Sequence, residues 1–226
     1  ASLILTMHKH AIIVAGGSGT RMQSELPKQF LLLGGKSILM HTIEAFHFDD
    51  IQITLVLPKD QIQIWKDLCL KHNFNHAINI VEGGATRFQS VKNGLNSIAD
   101  STGLVAIHDG VRPFIHRSII SESFNQASIK GSAITSVPLK DSLREVTSES
   151  NHAVDRSKFR LIQTPQTFQL AHIKKAFEKP YQSTFTDDAS VFENNGHSIN
   201  LIEGDYRNIK ITTPEDLSVA ESFLVG

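Results

Sequence analysis

Two stretches near the N-terminus gather the residue types that handle phosphate. Ala15-Gly16-Gly17-Ser18-Gly19-Thr20-Arg21-Met22 is a glycine-rich turn carrying one cation, and Pro27-Lys28-Gln29 places a second seven residues after Arg21. Glycines let backbone N–H groups approach phosphate oxygens closely, and two neighbouring cations suit a triphosphate whose charge grows during reaction. Ala15, Gly16, Gly17 and Gly19 are therefore expected to cradle a nucleotide, with Arg21 and Lys28 as catalytic cations. The turn is not the dinucleotide pattern G-x-G-x-x-G, because Met22 occupies the third glycine position. It is not a P-loop either, since no Gly-Lys-Ser/Thr follows. Further on, His108-Asp109-Gly110-Val111-Arg112-Pro113 puts an acid at the end of a strand-like run, where Asp109 and Gly110 would meet the nucleotide. Arg112 can pair there with Asp109 or with phosphate.

The elements that must position these residues alternate in period. Short β-branched or apolar runs at 10–15, 51–57, 77–81, 104–107 and 133–137 read as strands. Between them, amphipathic stretches at 37–48, 60–72, 87–98 and 118–129 read as helices. Repeated strand–turn–helix units imply an α/β fold: a Rossmann-like, mostly parallel twisted sheet with helices on both faces. Ligands of such sheets bind beyond the carboxyl ends of the strands, where the glycine-rich and charged motifs fall. Residues 138–168 break the alternation, with extended pieces at 142–146 and 153–156 around a polar tip. This reads as a protruding β-arm, too thin to bury its own faces and therefore expected to dock on a second copy of the chain. Helices near 171–177 and 187–194, a strand at 198–202 and a helix at 214–224 opening on Pro214 complete a single domain over 1–226.

Composition narrows the function classes. At 226 residues, with 40% hydrophobic and 20% charged side chains, the chain is long and apolar enough for one folded core. The 22 Lys+Arg against 23 Asp+Glu give a net charge of -1, so a nucleic-acid partner is not expected, nor is a membrane partner, since no run is long enough to span one. Cys69 is the one cysteine; it falls on the packed face of the 60–72 helix with Ile62, Trp65 and Leu68 and reads as core. A cytoplasmic location is expected, with residues before Met7 read as a ragged start. The eleven histidines include no His-x-x-x-His helix face, so a zinc site is not expected.

The turn G-G-x-G-x-R-M followed by P-K-Q resembles the nucleotidyltransferases that join NTPs to sugar phosphates. The likeness sharpens with Glu82-Gly83-Gly84-Ala85-Thr86-Arg87, His108 to Pro113, Val154-Asp155-Arg156, Gln163-Thr164-Pro165-Gln166, Thr186-Asp187-Asp188-Ala189-Ser190 and Asn208-Ile209-Lys210-Ile211-Thr212. In that order, and over about residues 8–225, these motifs resemble the 2-C-methyl-D-erythritol 4-phosphate cytidylyltransferase family. The resemblance implies that CTP and a polyol phosphate are joined with release of pyrophosphate, with Mg²⁺ on the nucleotide phosphates and a homodimer formed through the arm. It also implies catalytic roles for Arg156 and Lys210 in holding the attacking phosphate, with Arg156 serving the neighbouring subunit's site. Gly83, Gly84 and Ser90 match the family's cytosine-reading loop. Asp109 matches a residue that touches the substrate or the metal, and Thr186 one that contacts a substrate hydroxyl. Arg112 and Ser142 complete the expected substrate-binding set. The chain departs from the family at Ala85, where an acidic residue is common, and at Ser142, where Thr is frequent. Asp187 and Asp188 read equally as site residues or as favourable charges at a helix start.

Three rival readings remain. Ribitol-5-phosphate cytidylyltransferase shares the glycine turn, the P-K-Q and the Asp109 turn, but Val154-Asp155-Arg156 and Thr186 to Ser190 look closer to the methylerythritol branch. An inactive nucleotide-binding dimeric scaffold would be expected to have lost at least one of Arg21, Lys28, Arg156 and Lys210. A nicotinamide oxidoreductase is disfavoured by Met22 and by Leu57-Pro58-Lys59, which lacks an acid closing the second strand.

Overall fold

The computed structural model describes residues 7–16 and 26–225. Gly17, Gly19 and Arg21 of the glycine turn lie outside the described residues, as does the start before Met7. The first strand, β1 (Lys9–Val14), is followed by a small hairpin of β2 (Leu32–Leu33) and β3 (Lys36–Ser37), then α1 (Ile38–Phe46), β4 (Gln52–Leu57), α2 (Ile62–Lys71), β5 (Asn79–Glu82), α3 (Arg87–Ser97), β6 (Leu104–Asp109), α4 (Arg117–Lys130) and β7 (Ser132–Pro138). The second half adds β8 (Leu143–Val146), β9 (Asn151–Val154), β10 (Arg160–Gln169), α5 (Leu170–Ala176), α6 (Asp188–Asn194), β11 (Leu201–Glu203) and α7 (Pro214–Phe223).

The main sheet has seven strands in the order β11-β7-β10-β6-β1-β4-β5. Its pairings are parallel except those of β10, which runs against both neighbours, β6 and β7. Strands buried on both faces need apolar residues at successive positions, and β1 provides them. Ala11 and Ile13 pack under α1, α2 and α4 with Leu55, Phe46 and Phe124, while Ile12 and Val14 pack on the other face with Val91, Phe168 and Ile173. Helices therefore cover both faces, as the alternation of periods implied. Helix starts carry the caps that satisfy their first N–H groups: the Ser37 hydroxyl accepts from the Met40 N–H, and Thr213 and Asp216 form a capping box around Pro214. Cys69 packs against the larger core cluster, and burial pushes its thiol up to about 11, so it is inert packing.

Two elements differ from the sequence reading. The β2–β3 hairpin was not anticipated, although Gly34-Gly35 spells it: both residues have positive φ, as a tight two-residue hairpin turn demands. The larger difference is β10. Residues 138–168 read as arm, but Arg160–Gln169 is a strand of the main sheet, and the free hairpin is only β8 with β9. Pro165 and the polar run around it argued against a central strand. The sheet accommodates them with a register shift between Ile162 and Gln166, which removes the proline from the regular ladder.

Candidate active site

Asp109 ends β6 at the carboxyl edge of the sheet, and the turn after it is fixed from both sides. The Gly110 N–H donates to the Val14 carbonyl at 2.9 Å, and the Thr42 hydroxyl donates to the Gly110 carbonyl at 2.8 Å. A Cβ on Gly110 would stand 3.0 Å from Ala15 Cβ and 3.2 Å from the Val14 carbonyl, so glycine is what lets this turn close on β1. The Asp109 carboxylate is buried among three cations: Lys210 Nζ at 3.1 Å, Arg112 Nε at 3.4 Å and Arg87 Nη2 at 3.5 Å. Burial by itself would raise its pKa, but the charges of Arg87, Lys210 and Arg112 outweigh it and hold the carboxyl well below the usual range. It is ionised at any working pH.

Beneath Asp109 lies a floor of buried polar groups. The Asp109 N–H donates to the Thr164 hydroxyl, which in turn meets His108 Nδ1, each at 3.0 Å. His108 Nε2 donates to the Arg112 carbonyl at 3.0 Å. That carbonyl can only accept, so the proton sits on Nε2 and Nδ1 accepts from Thr164. Burial drives the His108 pKa down to about 4, which keeps the ring neutral. Arg112 Nη1 donates to the Asn208 carbonyl at 2.8 Å, and the Asn208 amide donates to the Thr164 carbonyl at 2.8 Å and to Gln163 at 3.1 Å. The Ile211 N–H donates to the Val111 carbonyl at 3.0 Å, and Ile211 is sealed between Ile38 and Ala220. This docking carries Lys210 to Asp109.

Two clefts open above that floor. Ala15, Gly16, Lys28, Gly84, Ala85 and Ser90 line one of them. Arg112, Gln163, Thr164, Thr186 and Asp187 line the other, and Arg87, Asp109 and Lys210 belong to both. In the first cleft Ser90 organises the loop: its hydroxyl accepts the Gly84 N–H at 3.1 Å and donates to the Thr86 carbonyl at 3.0 Å. The Gly83 N–H is tied to the Leu57 carbonyl at 2.7 Å, so the loop backbone is held in one shape. Ala85 faces this cleft with a methyl group where a side-chain contact to a base would need a polar atom.

The structure brings together Ala15, Gly16, Lys28, Gly84, Ser90, Asp109, Arg112, Thr186 and Lys210, and Gly83 and Gly110 shape the turns beside them. It does not bring Arg156 or Ser142 to either cleft of their own chain. Both are exposed at the hairpin, where the Arg156 guanidinium donates to the Lys140 carbonyl.

Sequence reasoning assigned no role to Arg87, which the structure makes the joint between the clefts. Its two Nη groups meet both carboxylate oxygens of buried Asp188 at 2.8 Å each. Burial works against its charge, and the carboxylates of Asp188 and Asp109 outweigh it. Asp188 is thus the arginine's partner, while Asp187 caps α6 by accepting the Ser190 N–H at 2.9 Å. Arg87 and Asp188 each belong to a motif that carries the resemblance, but only their meeting across 101 positions gives them a task. Gln163 and Thr164 likewise belong to a motif that carries the resemblance without a role of their own. As a metal ligand, Asp109 is the one carboxylate lining the first cleft among the described residues, and its contacts to Arg112 and Arg87 are long enough to yield. A single hard carboxylate beside phosphates is the usual protein contribution to Mg²⁺, so the residues fit that ion.

Comparison with known proteins places the chain in one family. The model of a family described as 2-C-methyl-D-erythritol 4-phosphate cytidylyltransferase matches residues 9–225. The chain is 48% identical to the protein of that name from Bacteroides fragilis over 220 residues, covering 96% of this chain and 100% of the relative. It is 49% identical to the one from Azobacteroides pseudotrichonymphae, covering 96% and 98%. Among solved structures, 4-diphosphocytidyl-2C-methyl-D-erythritol synthase from Anaerococcus prevotii superposes with a TM-score of 0.83 at 31% identity, covering 97% of each chain. The Thermus thermophilus cytidylyltransferase follows with a TM-score of 0.78 at 30% identity, covering 97% and 100%.

Proposed function

The chain belongs to the 2-C-methyl-D-erythritol 4-phosphate cytidylyltransferase family, and from that premise we propose how its residues divide the work. The reaction transfers the cytidylyl group of CTP to 2-C-methyl-D-erythritol 4-phosphate, giving 4-diphosphocytidyl-2-C-methyl-D-erythritol and pyrophosphate in the non-mevalonate route to isoprenoids. A phosphate oxygen of the alcohol forms a bond to the α-phosphorus of CTP as the bond from that phosphorus to the β-phosphate bridge breaks. Both partners are anions, so the protein's contribution is positioning and charge neutralisation.

CTP occupies the first cleft, its phosphates over Ala15, Gly16 and the glycine turn. Arg21 and Lys28 neutralise charge building on the α-phosphate and the leaving pyrophosphate. The backbone of residues 83–85 reads cytosine, in a loop shape that Ser90 maintains. Because that contact uses main-chain groups, Ala85 leaves base selection intact. Methylerythritol phosphate occupies the second cleft, with Thr186 toward its hydroxyls and Lys210 holding the attacking phosphate. The observation that carries this reading is the 3.1 Å contact between Lys210 and Asp109 where the clefts meet. Lys210 exchanges Asp109 for the incoming phosphate, while Arg87 and Arg112 keep Asp109 charged. Mg²⁺, when bound, neutralises the triphosphate, with Asp109 the residue placed to hold it.

The hairpin of β8 and β9 completes the site of a second copy, to which it delivers Arg156 and Ser142. Val146 is 75% exposed on it, and Phe159, Leu161 and Ile162 are exposed at its base, a surface that a partner subunit would cover. Each chain then acts as one domain with a shared sheet under both clefts. The cytoplasm suits this enzyme, since Cys69 alone cannot form an intrachain disulfide. Measuring pyrophosphate release with Mg²⁺, crossing CTP, UTP and ATP against methylerythritol phosphate and ribitol 5-phosphate, tests the reading. Turnover confined to CTP with methylerythritol phosphate is expected; activity with UTP would place base selection in the side chain that Ala85 lacks.

A further inference from the structure

At the edge of the sheet opposite the clefts, two histidines converge on one carboxylate. His8 Nδ1 lies 2.8 Å and His10 Nε2 2.9 Å from Oδ2 of Asp100, and the three donor atoms all lie within 4.8 Å of one another. His8 and His10 are two residues apart along an extended chain, which puts both rings on one side of it. This is not the spacing of a helical histidine pair, and Asp100 is 90 positions from His10, so only folding assembles the trio.

All three residues stand on anchored backbone. The His8 carbonyl accepts the Leu104 N–H at 2.9 Å, and Gly103, at φ +117°, allows that approach, since a Cβ there would fall 2.6 Å from the His8 oxygen. The Asp100 carbonyl accepts from Lys174 Nζ at 2.9 Å, and the same ammonium also reaches the Ile98 carbonyl. His10 is buried. Lys174 spends its hydrogen bonds on main-chain oxygens and leaves the carboxylate to the two rings, although its charge opposes an incoming cation.

From this convergence we propose that His8, His10 and Asp100 form a binding site for a late first-row divalent cation, with Zn²⁺ the best match. Two imidazoles and a carboxylate are the donors such ions prefer, with a fourth position left for water. Mg²⁺ favours all-oxygen surroundings, so the trio does not compete with Asp109 for it. The geometry is close to what the ion needs. Zinc bonds of about 2.0–2.1 Å in a tetrahedron set donor separations near about 3.3 Å. The two contacts to Asp100 must each open by about half an ångström and the imidazole nitrogens must close by no more than about 1.5 Å. Each ring presents a lone pair to the ion and carries its proton on the other nitrogen. The site fastens the start of β1 to the connection between α3 and β6.

The test is a calorimetric titration of the full chain with ZnCl₂ in excess Mg²⁺, comparing the wild type with His8→Ala and Asp100→Asn. His10 is left intact because its burial makes a folding defect the simplest result of changing it. A parallel Co²⁺ titration reads the visible absorption of a tetrahedral site. The expected result is one Zn²⁺ per wild-type chain, an affinity at least about tenfold weaker in each variant, and loss of the Co²⁺ band. Uptake equal in wild type and His8→Ala would overturn the site, because the zinc would then sit on other histidines. Absence of uptake by the wild type, with a lower Tm for His8→Ala, would also overturn it and leave the trio as a hydrogen-bonded clasp.

Discussion

The floor under Asp109 and the hairpin of β8 and β9 are both rich in polar residues, yet the chain finishes only one of them. In the floor, His108, Thr164, Gln166 and Asn208 are almost wholly buried, and their hydrogen bonds run from one backbone segment to the next, with Asn208 Oδ1 the one acceptor among them left without a partner. In the hairpin, Arg144 bonds to Asn151 within the same two strands, and residues 144–153 are all exposed. A buried polar group must find its partners inside the fold, whereas an exposed one has water as an alternative. The floor is therefore a support whose hydrogen bonds, Asn208 Oδ1 apart, are made within one chain. The hairpin has no such buried network, which is compatible with the role proposed for it at a neighbouring copy.

The strongest way to separate these regions is to remove the cations that act above the floor. Lys28→Ala and Lys210→Ala are each expected to lower kcat by about 10²–10³-fold, the scale of one electrostatic group, in a chain that still folds, with Lys210→Ala also lowering Tm because buried Asp109 loses one of its cations. Near wild-type turnover in either would remove that residue from the mechanism. Arg156→Ala should act through the partner site, raising the KM for the polyol phosphate more than that for CTP. Mixing Arg156→Ala with Lys210→Ala protein should restore activity that neither has alone, because a mixed dimer contains one intact site. No recovery after subunit exchange would confine Arg156 to its own chain.

The floor should instead respond in stability. His108 has a pKa of about 4 when folded against an ordinary 6.5, so below about 6.5 the unfolded chain takes a proton that the folded chain refuses. Stability is thus fully present above pH 6.5 and falls by up to about 3 kcal/mol as the pH drops to about 4. Asp109, whose folded pKa is depressed, contributes its own loss only below the ordinary carboxylate range. Urea midpoints across this window should fall more shallowly in His108→Gln. Thr164→Val leaves the Asp109 N–H and His108 Nδ1 unpartnered, and should cost about 1–3 kcal/mol at any pH. The smallest change in unfolding free energy belongs to the hairpin. Val146→Ser should move monomer stability by no more than about 0.5 kcal/mol while weakening self-association in sedimentation experiments.

The parallel core was legible because its strands are short apolar runs followed by glycine or proline, and its helices open on Ser37, Thr86 and Pro214. Lys28 and Asp109 stand out in the sequence as charges beside glycine turns, whereas Lys210 enters only through the family resemblance; the structure brings all three to one cleft. The sequence missed β10, because Gln163, Thr164, Pro165 and Gln166 lack the apolar alternation of a strand. Those side chains are polar for the sake of the floor, where the Thr164 hydroxyl and the Gln166 amide bond to residues on β6 and α6. Arg87 was visible as a motif residue without a task, since nothing local to it indicates Asp188.

What the amino-acid order determined by itself is therefore everything that depends on near neighbours: the periods, the caps, the turn glycines and the presence of cations at strand ends. The tertiary structure alone decided which charges meet. Asp109 gathers Arg87 from α3, Arg112 from its own turn and Lys210 from the segment before α7, while His8 and His10 gather Asp100. The physical reason is one of range. Backbone propensity acts over a few residues, whereas a buried charge is satisfied by whichever partner the packing of the sheet brings within about 3–4 Å, however distant in the chain.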